Sequence, residues 1–133
     1  MAINQFNGDA LRIRANNCRV TGCYVGVLFT GTEELSNAAT GSASGVRIDG
    51  GPRGNVIGSP RAAARNVISG NDTNGVLIHG RGTNGNAVLG NFIGTDAAGT
   101  GFVGNGVADT PRPGTGRACA SPAAPAATCC GTT

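Results

Sequence analysis

The sequence has few of the side chains that build a compact apolar core. Its 133 residues include no Trp, aromatic residues make up 4% of the chain, and hydrophobic residues make up 39%. A small single domain normally needs many large apolar side chains to offset the entropy of folding. No run of about 18 apolar residues occurs, so we expect no membrane span. The first six residues, MAINQF, lack the basic and apolar regions of a signal peptide, so we expect none here.

Lysine is absent as well, and all ten basic residues are Arg, which gives a formal net charge of +3. These Arg residues are scattered and do not alternate with the five aromatics, whereas a nucleic-acid-binding surface concentrates both. We therefore expect no nucleic-acid partner. His79 is the single His, so a His-based metal cluster is excluded. The calcium-binding nonapeptide G-G-x-G-x-D does not occur, and we predict no metal site.

Two segments match the dinucleotide-binding pattern G-x-G-x-x-G, at 80–85 and 99–104. That site needs a helix directly after the glycines, because the helix N-terminus holds the phosphates. The first segment is followed by NAVLG, which is typical of a strand and a turn. We interpret both matches as chance events in a glycine-rich chain, and we predict no cofactor.

Glycine and asparagine are abundant instead. The chain has 24 Gly, well above the usual level of about 7%. Asn-Gly and Gly-Asn pairs recur, and these mark tight turns because both residues tolerate positive φ. Frequent turns between short Val and Ile runs predict many short strands.

Self-similarity organises these strands. GVRIDG at 45–50 and GVLIHG at 75–80 match at an offset of 30 residues. Residues 17–37 align without gaps to residues 85–105 at an offset of 68, with residues 45–74 between them as a different subtype. Repetition at a fixed period predicts a solenoid, in which each rung buries the apolar face of its neighbours.

A three-residue pattern, [Asn or Cys]-x-[Val or Ile], recurs within the repeats. It begins at Cys18, Cys23, Asn55, Asn66, Asn86 and Asn91. Strand alternation places the first and third residues on one face, which we predict points inward. An Asn at such a corner can bond the turn backbone and the Asn of the next rung. We expect Cys18 and Cys23 to be free, half-buried thiols that replace Asn.

The same alternation predicts inward and outward positions in the longer strands. Val46, Ile48, Val76, Ile78, Leu11 and Ile13 should point inward. The outward residues then form two rows, Arg12/Arg47/Leu77 and Arg14/Asp49/His79, which face water. We take Arg12, Arg14, Arg47, Asp49 and His79 as the candidate ligand-binding residues. One interpretation is a charge ladder in which Asp49 bridges its neighbours. The other is a strip that binds a sugar or an anion. A single carboxylate provides no catalytic pair, and we predict no catalytic residues.

ARNVISGN (64–71), GVLIHG (75–80) and GNFIGTDAAGT (90–100) resemble repeats of large bacterial surface or secreted proteins of the pectin-lyase-like superfamily. The resemblance covers roughly residues 5–108. It implies an all-β fold, a right-handed parallel β-helix of about three and a half rungs over residues 1–107. It also implies a structural or carbohydrate-associated role at the cell surface or outside the cell, with a polysaccharide or cell-envelope glycan as partner. The alternatives are a truncated remnant of a polysaccharide lyase or glycoside hydrolase, and a product without independent function.

The pattern ends near Val107, where the composition changes. Residues 108–133 are rich in Pro, Ala, Thr and Cys and contain no rung pattern, so we expect a disordered tail. Residues 38–44 (AATGSAS) should form a loop that lengthens one turn. We interpret the chain as a fragment of a longer solenoid whose tail is an out-of-frame or unrelated extension. Because exposed strand edges recruit other strands, uncapped rungs predict self-association.

Overall fold

The structure is a computed structural model, and it describes residues 1–28, 30–31 and 43–106. This part of the chain consists of short β-strands joined by turns, with one 3₁₀ turn at Ala62–Ala64 and no α-helix. The strands are β1 (Ala2–Ile3), β2 (Leu11–Ile13), β3 (Arg19–Val20), β4 (Tyr24–Val25), β5 (Val46–Asp49), β6 (Val56–Gly58), β7 (Val67–Ile68), β8 (Val76–His79), β9 (Ala87–Leu89) and β10 (Phe92–Ile93). The prediction of an all-β fold is confirmed for these residues.

The strands form three parallel sheets. Sheet A has the order β1-β4-β7-β10, sheet B the order β2-β5-β8, and sheet C the order β3-β6-β9. The chain visits the sheets in a fixed order, so that each successive group of three strands adds one strand to every sheet. We call these groups layer 1 (β2–β4), layer 2 (β5–β7) and layer 3 (β8–β10). Every strand pair is parallel, and the predicted stacking of repeats is confirmed.

The strand register follows the sequence repeats. Val46 pairs with Val76 and Ile48 with Ile78, which is the predicted offset of 30 residues. Val20 and Val88, equivalent in the gapless repeat, lie on either side of Ile57 in sheet C. The two copies of that repeat are therefore two layers apart, as predicted.

The apolar core lies between the three sheets. Ile48 of sheet B, Ile57 of sheet C and Ile68 of sheet A are all fully buried and belong to one cluster. Of the six positions predicted to point inward, Ile13, Val46 and Ile48 are buried, and Leu11 and Val76 are half-buried. Ile78 is 36% exposed, because its strand β8 has a neighbour on one side and none on the other within the described residues.

Asparagine side chains at the corners form ladders that link the layers. The side-chain oxygen of Asn86 accepts hydrogen bonds from the backbone N–H of Asn55 at 3.0 Å and from its side-chain amide at 2.9 Å. Asn91 accepts in the same way from Asn66, at 3.3 and 3.0 Å. Because the amides of Asn55 and Asn66 are fully buried, each such bond matters for the stability of the stack.

Two cysteines occupy the equivalent corners of layer 1. The backbone N–H of Cys18 donates to the Asn55 side-chain oxygen at 2.7 Å, and that of Cys23 donates to the Asn66 oxygen at 2.9 Å. Both thiols are free; Cys18 is half-buried and Cys23 is buried. The prediction that they stand in Asn positions is confirmed, whereas the prediction of a half-buried thiol is wrong for Cys23, which belongs to the core cluster.

Several predictions concern residues outside the described ranges. The disordered tail at 108–133 is one of them, and most of the predicted loop at 38–44 is another. In the ranges that are described, no helix is long and apolar enough to cross a membrane.

Candidate functional site

The five candidate residues lie together on the outer face of sheet B. Arg12 pairs with Arg47, and Arg47 with Leu77, which gives the first row that the sequence predicts. Asp49 pairs with His79 in the second row, and Arg14 reaches Asp49 with its side chain. We call Arg12, Arg14, Arg47, Asp49 and His79 the arginine strip.

Asp49 is the centre of this cluster. The Nε of Arg12 donates to its Oδ1 at 3.0 Å, and Nη2 of the same guanidinium donates to Oδ2 at 2.6 Å. The Nε of Arg14 donates to Oδ1 at 3.2 Å, and the Nε of Arg47 donates to Oδ2 at 2.8 Å. His79 completes the shell, with Nε2 3.7 Å from Oδ2. Both carboxylate oxygens therefore have more than one donor.

The burial of Asp49 corrects one prediction. Alternation assigns residue 49 to the water-facing side of its strand, yet the residue is 5% exposed. Side-chain direction alone does not decide exposure, because three long Arg side chains from this and the adjacent strand fold over the carboxylate. The hydrogen bond from Arg12, supported by those from Arg14 and Arg47, holds the pKa of Asp49 well below its usual range.

Asp9 also belongs to the cluster, and sequence reasoning missed it. Its Oδ2 lies 3.6 Å from Nη1 of Arg47, and its Oδ1 accepts a hydrogen bond from the backbone N–H of Ser44 at 2.8 Å. Arg47 thus lies between two carboxylates. Asp9 precedes the first regular strand of sheet B, so periodicity gave no signal for it. Extending the Leu11–Val46 register backwards would have placed it beside Ser44.

The outer edge of the strip remains open to solvent. The side chains of Arg14, His79 and Arg12 are 65%, 45% and 43% exposed. Arg14 uses Nε for Asp49, and within the described part of the chain its two terminal nitrogens have no hydrogen-bond partner. The cluster contains three guanidinium groups and two carboxylates, those of Asp9 and Asp49, so it carries an excess of positive charge without any contribution from His79.

This arrangement suits binding better than proton transfer. A general base must take up a proton near neutral pH, and the lowered pKa of Asp49 opposes that. The hydrogen-bonding capacity of its oxygens is also taken up by neighbouring cations. The exposed guanidinium donors, in contrast, are suited to planar anions such as carboxylate or sulfate.

The other motifs have structural roles. The glycines at 80–85 lead into β9 rather than into a helix, which confirms the strand that the sequence predicts after them. Asn71 is buried, and its side chain donates to Asn105 Oδ1 at 2.8 Å in a third ladder. Among the described residues, no three His, Cys, Asp or Glu side chains gather as a metal-ion cluster.

Comparison of the chain with protein-family models, with curated proteins and with solved structures found no match.

Proposed function

We propose that residues 1–107 form a right-handed parallel β-helix, and that the chain is a structural, carbohydrate-associated segment of a bacterial cell-surface or secreted protein. The support for the fold is the fixed order in which the chain visits three parallel sheets, together with the ladders that link the layers. Right-handed connections are strongly preferred between parallel strands, which favours that hand here. The resemblance of the repeats to bacterial surface proteins supports the setting.

The arginine strip is the observation that carries the binding proposal. Three guanidinium groups lie on one sheet face, and the most exposed of them, Arg14, has donors free for a ligand within the described structure. An acidic polysaccharide, with one carboxylate or sulfate on each sugar, presents anions that such groups bind in a bidentate manner. We therefore propose an acidic cell-envelope or extracellular glycan as the ligand.

The alternative, a remnant of a polysaccharide lyase or glycoside hydrolase, requires an acid or a base beside the bound sugar. The strip offers Asp49, whose carboxylate is enclosed by Arg12, Arg14 and Arg47. We favour the binding role for this reason.

Isothermal titration of the full chain with polygalacturonate, and with neutral dextran as a second probe, tests the binding proposal. Binding of the acidic polymer alone is expected, and Arg14→Gln should weaken it by about three- to tenfold, because one charge-assisted contact is removed. Arg61→Gln is the matched control: Arg61 is exposed, lies outside sheet B, and the substitution changes the charge equally. The proposal fails if polygalacturonate does not bind, or if Arg61→Gln weakens binding as much as Arg14→Gln does.

A further inference from the structure

The stack has one end whose apolar residues are uncovered. Ile78 and Val88 are 36% and 39% exposed, whereas Ile48 and Ile57, directly adjacent in the same rows, are fully buried. The opposite end is different, because Ile13, in the same row as Ile48 and Ile78, is 8% exposed. Apolar exposure of the inward rows is therefore concentrated at layer 3.

The two ends also differ in charge. The edge strands of layer 3, with the sequences VLIH, AVL and FI, contain no Arg, Asp or Glu. The edge strands of layer 1 include Arg12 in β2 and Arg19 in β3. Charged side chains protect sheet edges against pairing with other chains. Layer 1 has this protection, whereas in layer 3 Leu77 stands where Arg12 and Arg47 stand in the other layers.

Backbone donors are unpaired at the layer 3 end. The backbone N–H groups of Asn55, Asn66 and Asn71 each donate to the side-chain oxygen of the next Asn in the ladder. In the first two ladders, the corresponding N–H groups, those of the half-buried Asn86 and Asn91, have no acceptor within the described part of the chain. This end thus presents hydrogen-bond donors beside an apolar surface.

Two occupants fit this end poorly. Residues 107–133 follow it directly in the chain, but they contain no Asn and have Pro at 111, 113, 122 and 125. Such a segment supplies no Asn side chain to continue the ladders, and proline has no N–H for a strand ladder. Layer 1 of a second copy would place Cys18 and Cys23 where Asn oxygens are needed, and a thiol is a weak acceptor.

We propose that the layer 3 end is a self-association surface, on which two copies of the chain meet end to end around a twofold axis. Identical edge strands related by such an axis run antiparallel, so each provides both N–H and C=O groups to the other. The Asn side chains at the corners carry both a donor and an acceptor and can therefore pair with their own kind. Association removes Ile78 and Val88 from water, and no formal charge of the edge strands is buried.

Val88→Lys and Val20→Lys form a matched pair for the test, because both residues flank Ile57 in one row at opposite ends of the stack. Sedimentation velocity of the full chain over a range of concentrations should show a dimer. Val88→Lys should raise its dissociation constant by about tenfold or more, since a buried lysine has no partner there. Val20→Lys should leave the constant within about twofold of the parent value.

Two results of the sedimentation experiment would overturn the proposal. A full chain that stays monomeric at all concentrations overturns it. Equal loss of the dimer in both variants would indicate head-to-tail stacking. If circular dichroism shows that a lysine variant does not fold, hydrogen exchange of the parent chain decides instead. Protection of the β8 and β9 amides must then rise with protein concentration while that of β2 does not.

Discussion

The Asn66 ladder offers a direct test of what holds the layers together. Asn66 is fully buried; its side-chain oxygen accepts from the backbone N–H of Cys23 at 2.9 Å. Its amide donates to the Val20 carbonyl at 2.9 Å and to Asn91 Oδ1 at 3.0 Å. One side chain therefore connects all three layers.

Replacing Asn66 by Ala leaves the buried N–H of Cys23 without an acceptor. Such an orphaned group costs about 1–3 kcal/mol, and the lost bond to the Val20 carbonyl adds about 1 kcal/mol. Removing the amide itself offsets part of this, because Ala has no polar group to bury. We expect Asn66→Ala to lower the free energy of unfolding by about 2–4 kcal/mol, a large part of the roughly 5–15 kcal/mol that a folded domain has.

Asn91→Ala is the matched control in the same ladder. Asn91 is half-buried in layer 3 and accepts two hydrogen bonds from Asn66. When Ala replaces Asn91, these donors lose their acceptor at the end of the stack, where water can take its place. We expect a loss of about 1 kcal/mol.

Urea unfolding followed by far-ultraviolet circular dichroism measures both losses, and it suits a chain without Trp. With a slope of about 1.5 kcal/mol per molar urea, the midpoint should fall by roughly 2 M for Asn66→Ala and by less than about 1 M for Asn91→Ala. Equal losses in the two variants, or a loss below about 0.5 kcal/mol for Asn66→Ala, would refute the view that buried ladder amides hold the stack together.

Two further predictions concern acid stability and a close backbone approach. Hydrogen bonds from Arg12 lower the pKa of Asp49, and the hydrogen bond from the backbone N–H of Thr100 lowers the pKa of Asp96. Both ionised carboxylates therefore stabilise the fold at any pH above about 3.9, which is the pKa of Asp in the unfolded chain. The melting temperature should therefore change little from pH 7 to 5 and fall below about pH 4; an equally steep fall in Asp49→Asn would contradict the role of Asp49. Gly58 has φ +98°, and a Cβ there would meet the Leu89 carbonyl and the Asn91 side chain. Gly58→Ala should lower the free energy of unfolding, measured in urea, by about 3 kcal/mol or more. Gly85→Ala is the control and should lower it by about 1 kcal/mol, because a Cβ at Gly85 meets no atom within 4 Å. Similar losses in the two variants would show that the structure shifts to relieve the contact at Gly58.

Sequence alone predicted the elements whose spacing repeats. The match between 45–50 and 75–80 gave the register of β5 and β8, since side chains in parallel strands stack residue by residue. The corner pattern likewise placed Cys23 in an Asn position, because Cys23 and the Asn residues both begin an [Asn or Cys]-x-[Val or Ile] unit.

Features that depend on contacts between side chains were not predictable in this way. Asp49 is covered by arginines whose reach exceeds one strand spacing, and strand alternation contains no information about that reach. The ladder from Asn71 to Asn105 was missed because Asn71 is followed by Asp72 and Thr73 instead of a Val or Ile corner.

The unequal spacing of the paired strands in sheet A has a consequence for how such a chain can change in evolution. Successive partners Ala2, Tyr24, Val67 and Phe92 lie 22, 43 and 25 residues apart, yet every pair is parallel and continues one sheet. The turns between corners therefore absorb insertions without shifting the register of any strand. A gene of this design can gain or lose surface segments, or accept a foreign epitope, at the turns while the corner residues and the core rows stay constant.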